Sequence, residues 1–305
     1  MKKLKRNGFI FISFLFLYLP FFYGCISTAA SAEEYYSIGM AYFELGKYEE
    51  AERWLNRAKA SDKTITASQY NLGRIAFERK RFHEAASLFE EILTKDPDNV
   101  LALKAAAYTR INTGDIPAAE RHYSRLLILV PESSDDGYNH ALVLYAMGRY
   151  SDSEKVLQRY LLSMLVNNDM QLLYARSQKA QNKAEAIDSY NTWLLNNTDA
   201  EIRSEYAQTL ENHELYARAL EEYRKSLAET SSAALRSKIL FSIARVHLTA
   251  DSESATGITE LQNAINEGFN NADAAEELLL IKGLSSANIE SIRNIINNMK
   301  RSSEI

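Results

Sequence analysis

The chain has 305 residues, 46% of them hydrophobic and 25% charged, the composition of a folded protein rather than a disordered one. Its 11 glycines and 4 prolines are too few for the turns of an all-β protein and favour helices with short connections. A formal charge of -5 gives no basic excess to neutralise phosphates, which argues against nucleic acid as a partner, and one cysteine excludes an internal disulfide framework.

Lys2, Lys3, Lys5 and Arg6 precede an apolar run from Gly8 to Phe22, and Gly24-Cys25 follows, the layout of a secretory leader. Removing those four cations leaves 31 basic against 40 acidic residues, a net of -9. The arrangement resembles a bacterial lipoprotein leader of residues 1–25, although Phe22 and Tyr23 stand where aliphatic and small residues are usual. That resemblance implies that Cys25 becomes the lipid-bearing first residue of the mature chain, with residues 26–31 as a short tether to the membrane. Ile26 after the cysteine, in place of Asp, resembles the signal for onward export to the outer membrane. Ala30-Ser31-Ala32 is a competing A-x-A site, and cleavage after Ala32 would release a soluble periplasmic protein. An uncleaved anchor is a third arrangement, but the run falls short of the roughly 20 residues a spanning helix needs.

From Ala32 the chain divides into 34-residue units at 32–65, 66–99, 100–133 and 134–167. Each unit predicts two amphipathic helices. A small residue recurs in the second helix as Ala51, Ala85, Ala119 and Ser153, and a bulky one four later as Leu55, Phe89, Tyr123 and Leu157. Gly46, Gly114 and Gly148 mark turns in which glycine takes left-handed backbone angles without a Cβ clash. Tyr48, Phe82, Ile116 and Tyr150 follow the turns and are expected to plug the helix pairs. Pro97 and Pro131 end second helices, because proline cannot supply the donor that continuation needs.

In residues 69–99, Leu72-Gly73, Phe82, Ala85, Phe89 and Pro97 fall at the spacings of the tetratricopeptide pattern, and the chain resembles that family. The resemblance implies an all-α, right-handed superhelical solenoid whose concave side is lined by first helices and binds proteins or peptides. Weaker units are legible at 167–199, 200–236 and 237–270, which carries the solenoid over 32–270 as one elongated body. Extra residues fall around Ser231 to Ala234. Capping helices are expected within 271–305, from about Ala272 to Ile281 and from about Ser286 to Lys300. Ile289, Ile292, Ile296 and Met299 make one apolar stripe, the polar-backed terminal element a solenoid needs.

The family's inward positions are 2, 5, 9 and 12 of each unit. They give Tyr36, Met40 and Phe43 in the first, Tyr70, Arg74 and Phe77 in the second, Lys104 and Tyr108 in the third, and Tyr138 and Tyr145 in the fourth. Rings seven residues apart share a helix face, so these residues are the expected partner-binding row. Core packing of the same rings is the competing expectation. In the fifth and sixth units the row becomes polar, with Gln171, Gln178, Ser204, Gln208 and Glu211. Arg74 and Lys104 offer pairing with an acidic ligand group. The carboxylate clamp of some tetratricopeptide proteins is not matched, because Tyr108 stands where it needs Asn.

No catalytic constellation is visible. His83, His122, His140, His213 and His247 are scattered over separate units, and no H-E-x-x-H, G-x-S-x-G or phosphate-cradling loop occurs. No enzyme, cofactor or metal is therefore expected. The expected function is an exported, lipid-anchored adaptor that holds a protein or peptide partner in the bacterial cell envelope. The alternative is a transport accessory that handles a small apolar ligand in the aromatic groove.

Overall fold

The computed structural model describes residues 30–62, 66–161 and 167–303. The leader and Cys25 lie outside these residues. The described residues divide into two compact units, one within Met1–Ser68 and one within Gln69–Ile305. The described residues carry helices and no strands.

The first unit holds α1 (Ala32–Glu44) and α2 (Tyr48–Ser61). Ser31 starts α1 with a capping box: its hydroxyl accepts from the Glu34 amide at 3.1 Å, and the Glu34 carboxylate accepts from the Ser31 amide at 2.7 Å. Ala51, Leu55 and Ala58 supply the buried face of α2.

Helix α3 (Thr66–Glu78) crosses the boundary between the units. It is followed by α4 (Phe82–Lys95), α5 (Val100–Asn112), α6 (Ile116–Leu129), α7 (Ser134–Ala146) and α8 (Tyr150–Leu161). Then come α9 (Asn168–Ala180), α10 (Glu185–Leu194), α11 (Ala200–Asn212), α12 (Tyr216–Glu229), α13 (Ala233–Ala250) and α14 (Ala255–Asn266). The arrangement is a solenoid of helix-turn-helix pairs. Short α15 (Ala272–Glu277), a 3₁₀ turn (Leu278–Leu280) and α16 (Ser286–Ser303) close the sequence of elements.

The same turn joins the two helices of each of the first six pairs. One residue takes a left-handed φ: Gly46, Lys80, Gly114, Gly148, Asn182 or Glu214. The next amide then donates back five residues, as Lys47 to Tyr42, Arg81 to Ala76, Asp115 to Arg110, Arg149 to Leu144, Lys183 to Gln178 and Leu215 to Leu210. This is the hydrogen bond that satisfies orphan carbonyls at a helix end. Past each turn the small residues Ala51, Ala85, Ala119, Ser153, Ala186 and Ala219 are wholly buried, and so in effect are Leu55, Phe89, Tyr123, Leu157, Tyr190 and Tyr223. Ser153 fits an alanine position because its hydroxyl donates to the Ala141 carbonyl at 2.9 Å. The close approach explains Gly73, where a Cβ would lie 2.6 Å from Phe89 Cε1.

One detail of register differs from expectation. First helices start at 32, 66, 100, 134 and 168, so the fifth begins at Asn168 and its inward positions are Leu172, Arg176 and Lys179 rather than Gln171 and Gln178. Asn182, at φ 53°, holds the left-handed place that glycine marks elsewhere, which hid the register. The extra residues expected around Ser231 to Ala234 fall at the start of α13, where Ser232 caps the helix and they lengthen it. At the end, Ile292 and Ile296 bury against Leu261, Ala264 and Leu278, while Asn288 ties α16 to the Ser252 carbonyl at 3.0 Å.

Candidate functional site

Each expected inward ring meets a different neighbour. At the twelfth position, the ring packs on the aromatic residue that follows its own turn: Phe43 on Tyr48 at 5.7 Å between centroids, Phe77 on Phe82 at 5.2 Å, and Tyr145 on Tyr150 at 5.0 Å. These rings are half-buried and brace the turn. Tyr70 packs on Phe89 at 5.6 Å, and Tyr138 joins the core of Leu157, Met170 and Leu173. Burial pushes the Tyr138 and Tyr145 hydroxyls above their ordinary pKa. In the first unit Tyr36 and Met40 are half-buried.

Tyr108 differs from the others. It is 52% exposed and stacks obliquely on Phe77 at 5.4 Å. Beside the two rings is a small hollow of about 110 Å³, open to solvent, with Phe89, Ala105 and Thr109 in its walls and Arg74 and Glu78 also lining it. Arg74 donates to Asn71 Oδ1 at 3.0 Å. An exposed ring next to an apolar hollow suits the side chain of an extended segment. It contains no nucleophile with an adjacent base.

Lys104 is engaged within the chain. Its Nζ lies 2.9 Å from Oδ1 of Asp136, a carboxylate buried on α7 whose other oxygen accepts from Ser133 at 2.6 Å. The role expected for Lys104, pairing with a ligand, competes with neutralising this buried charge.

Beyond α7 the face becomes a lattice of charge pairs. Arg176 makes a two-pronged contact with Glu205 at 2.9 and 2.6 Å, and Tyr190 donates to the same carboxylate at 2.9 Å. Burial works against the charged Glu205, but the bonds from Arg176 and Tyr190 outweigh it and hold its pKa below the usual range. Lys179 donates to Gln208 at 2.8 Å, and Arg245 grips Glu211 at 2.6 and 2.9 Å. The sequence carries a signal for this lattice that the repeat positions alone miss. Partners recur 29 residues apart, as Arg176 with Glu205 and Lys179 with Gln208 on the first helices, and the same spacing pairs second helices with turns, as Glu120 with Arg149 and Glu154 with Lys183.

Family models of the tetratricopeptide repeat match residues 32–65, 76–138 and 138–201. An uncharacterized lipoprotein of Treponema pallidum (strain Nichols) is 23% identical over 154 residues, which cover 50% of this chain and 79% of that one. A tetratricopeptide repeat protein from Parabacteroides merdae ATCC 43184 has a similar crystal structure, with a TM-score of 0.55 at 21% identity, covering 82% of this chain and 98% of that one. YrrB, a tetratricopeptide protein with an unusual peptide-binding site, gives a TM-score of 0.52 at 14% identity over 63% of this chain and 98% of its own. At these identities the structural likeness concerns the fold.

Proposed function

The chain belongs to the tetratricopeptide repeat family, and from that premise we propose that it is an exported adaptor, anchored by lipid on Cys25, that binds an extended segment of an envelope protein. The observation that carries the binding half is Tyr108, an exposed ring stacked on Phe77 at the edge of an apolar hollow. Exposed rigid rings anchor interfaces at low entropic cost. Tyr36, Met40, Phe43, Tyr70, Arg74, Phe77, Lys104, Tyr138 and Tyr145 are the remaining candidates for the row. Most of them also serve packing or internal pairing, so Tyr108 is the residue whose loss separates binding from folding.

The anchoring half is supported by the layout of residues 1–25 and by similarity to a protein named as a lipoprotein. Among the described residues no helix is long and apolar enough to cross a membrane.

The test places a photo-crosslinking amino acid at position 108 and, as a control, at exposed Arg121 on α6. The expected result in envelope preparations is a discrete crosslinked species from position 108 alone, lost when Phe77 is also changed to Ala. Equal crosslinking from both positions would refute the assignment of this face. A fatty-acid label that follows Cys25, and vanishes in Cys25→Ser, tests the anchor separately.

A further inference from the structure

The first helix pair has an uncovered face. Tyr35, Ile38, Tyr42 and Leu45 lie three, seven and ten residues along one stripe of α1, and no described helix precedes it. Ile38 is 37% exposed, whereas the residue at the same place is buried in four later pairs, as Leu72, Ala106, His140 and Tyr206, and half-buried in the fifth, as Tyr174. Leu45 is 70% exposed. Tyr35 stacks on Trp54 of α2 at 5.8 Å, and the Arg57 guanidinium sits over the Trp54 ring at 4.6 Å. Apolar residues flanked by tyrosine, tryptophan and arginine form the mixture favoured at a membrane–water interface, where one end of each side chain is apolar and the other wet.

The tether selects the occupant. The capping box fixes the start of the folded body at Ser31, six residues after Cys25. Six residues reach at most about 20 Å when fully extended. A lipid on Cys25 would therefore keep this end of α1 within about 20 Å of the headgroup layer. We infer that the stripe of Tyr35, Ile38, Tyr42 and Leu45, with Trp54 and Arg57, docks on the lipid surface and orients the first helix pair on the membrane.

The inference rests on lipidation of Cys25, and the experiment separates the two. Full-length protein is produced in an envelope-bearing host, extracted from membranes and reconstituted in phosphatidylethanolamine–phosphatidylglycerol vesicles whose acyl chains are brominated near the headgroup. The chain has two tryptophans, so Trp193→Phe leaves Trp54 as the sole reporter, and Trp54→Phe leaves buried Trp193 as the control. The expected result is a blue shift and bromine quenching of Trp54 with no change at Trp193, both lost when Ile38 and Leu45 become Ser. A lipid-bearing N-terminal peptide by mass spectrometry, together with Trp54 emission insensitive to bromine, overturns the docking face and leaves the anchor standing. An N-terminal peptide without lipid overturns both. Emission that shifts with protein concentration but not with vesicles gives the face to a second copy and also overturns the inference.

Discussion

Lys104 illustrates how one side chain can look like a binding residue and act as a structural one. Asp136 is nearly inaccessible, and its Oδ1 has Lys104 as its charged neighbour. Replacing Lys104 with Met leaves that carboxylate buried without a cation, while the lysine itself is half-exposed and partly screened by water. The expected cost is therefore about 1 kcal/mol, the low end for an orphaned buried acceptor. Lys104→Met combined with Asp136→Asn recovers most of it, because the charge is gone from both partners. Urea unfolding of the three variants checks this, and additive losses in the double variant would contradict the pairing. A second residue-scale expectation concerns pH. Burial pushes the His140 imidazole below its ordinary 6.5, with Glu120 at 3.6 Å working against the shift. A depressed folded pKa means that stability is present above 6.5 and is lost as pH falls through the folded value. Despite burial, Glu205, Glu154, Glu120 and Glu90 are held below 4.5 by their partners, so their contribution is lost only beneath that pH. Unfolding free energy measured against pH should thus fall in two windows. His140→Gln should flatten the upper one and leave the lower one in place, and an unchanged upper slope would remove His140 as its source.

At the scale of the element, the turn sets what can be read from sequence and what stability it leaves unused. Lys80 and Glu214 adopt φ of 59° and 60°, angles that cost an L-residue about 1 kcal/mol and cost glycine nothing. Lys80→Gly and Glu214→Gly should each raise stability, by about 0.5 kcal/mol once the greater freedom of glycine in the unfolded chain is subtracted. Gly114→Ala, at φ 79° with open space around it, should lower stability by about 1 kcal/mol through strain alone. Thermal unfolding of the three variants tests the signs, and a gain from Gly114→Ala would contradict the argument. The same turn explains legibility. Where glycine occupies the left-handed place, as at Gly46, Gly114 and Gly148, the repeat boundary is visible from composition. At Asn182 and Glu214 the backbone does the same thing with an ordinary residue, and the fifth register slips by one. The repeat positions are legible in the sequence, but what the side chains at them touch is not. Whether Phe77 braces Phe82 or faces a ligand depends on ring contacts, and Lys104 meets Asp136 across a gap of 32 residues that local pattern does not connect.

At the scale of the molecule, a helical solenoid has no single core, and its stability is a chain of neighbour interfaces. Within Gln69–Ile305 the apolar contacts form separate clusters, one over Ala76 to Val143 and another over Ala175 to Val246. Between them lies a small core of Ala141, Leu157, Tyr160, Met170 and Leu173. Polar contacts reinforce that junction. Glu154 on α8 accepts from Lys183 Nζ at 2.6 Å, Gln181 Nε2 at 2.8 Å and Gln178 Nε2 at 3.3 Å, and Ser177 donates to Ser153 at 3.1 Å in the layer beneath. One carboxylate thus fastens three donors of the α9–α10 pair to the preceding pair. Glu154→Ala removes the shared acceptor, leaves buried Gln178 short of a partner, and weakens this junction without touching either large cluster. The cooperative link between the two sides should then fail before the sides themselves unfold. Urea unfolding of Glu154→Ala should split into two steps, and amide exchange should accelerate first in α8 and α9. Glu221→Ala, an exposed i,i+4 partner of Lys225 on α12, should leave a single step because no interface depends on it. A single step with unchanged denaturant slope in both variants would mean that apolar contact alone carries the coupling across α8 and α9.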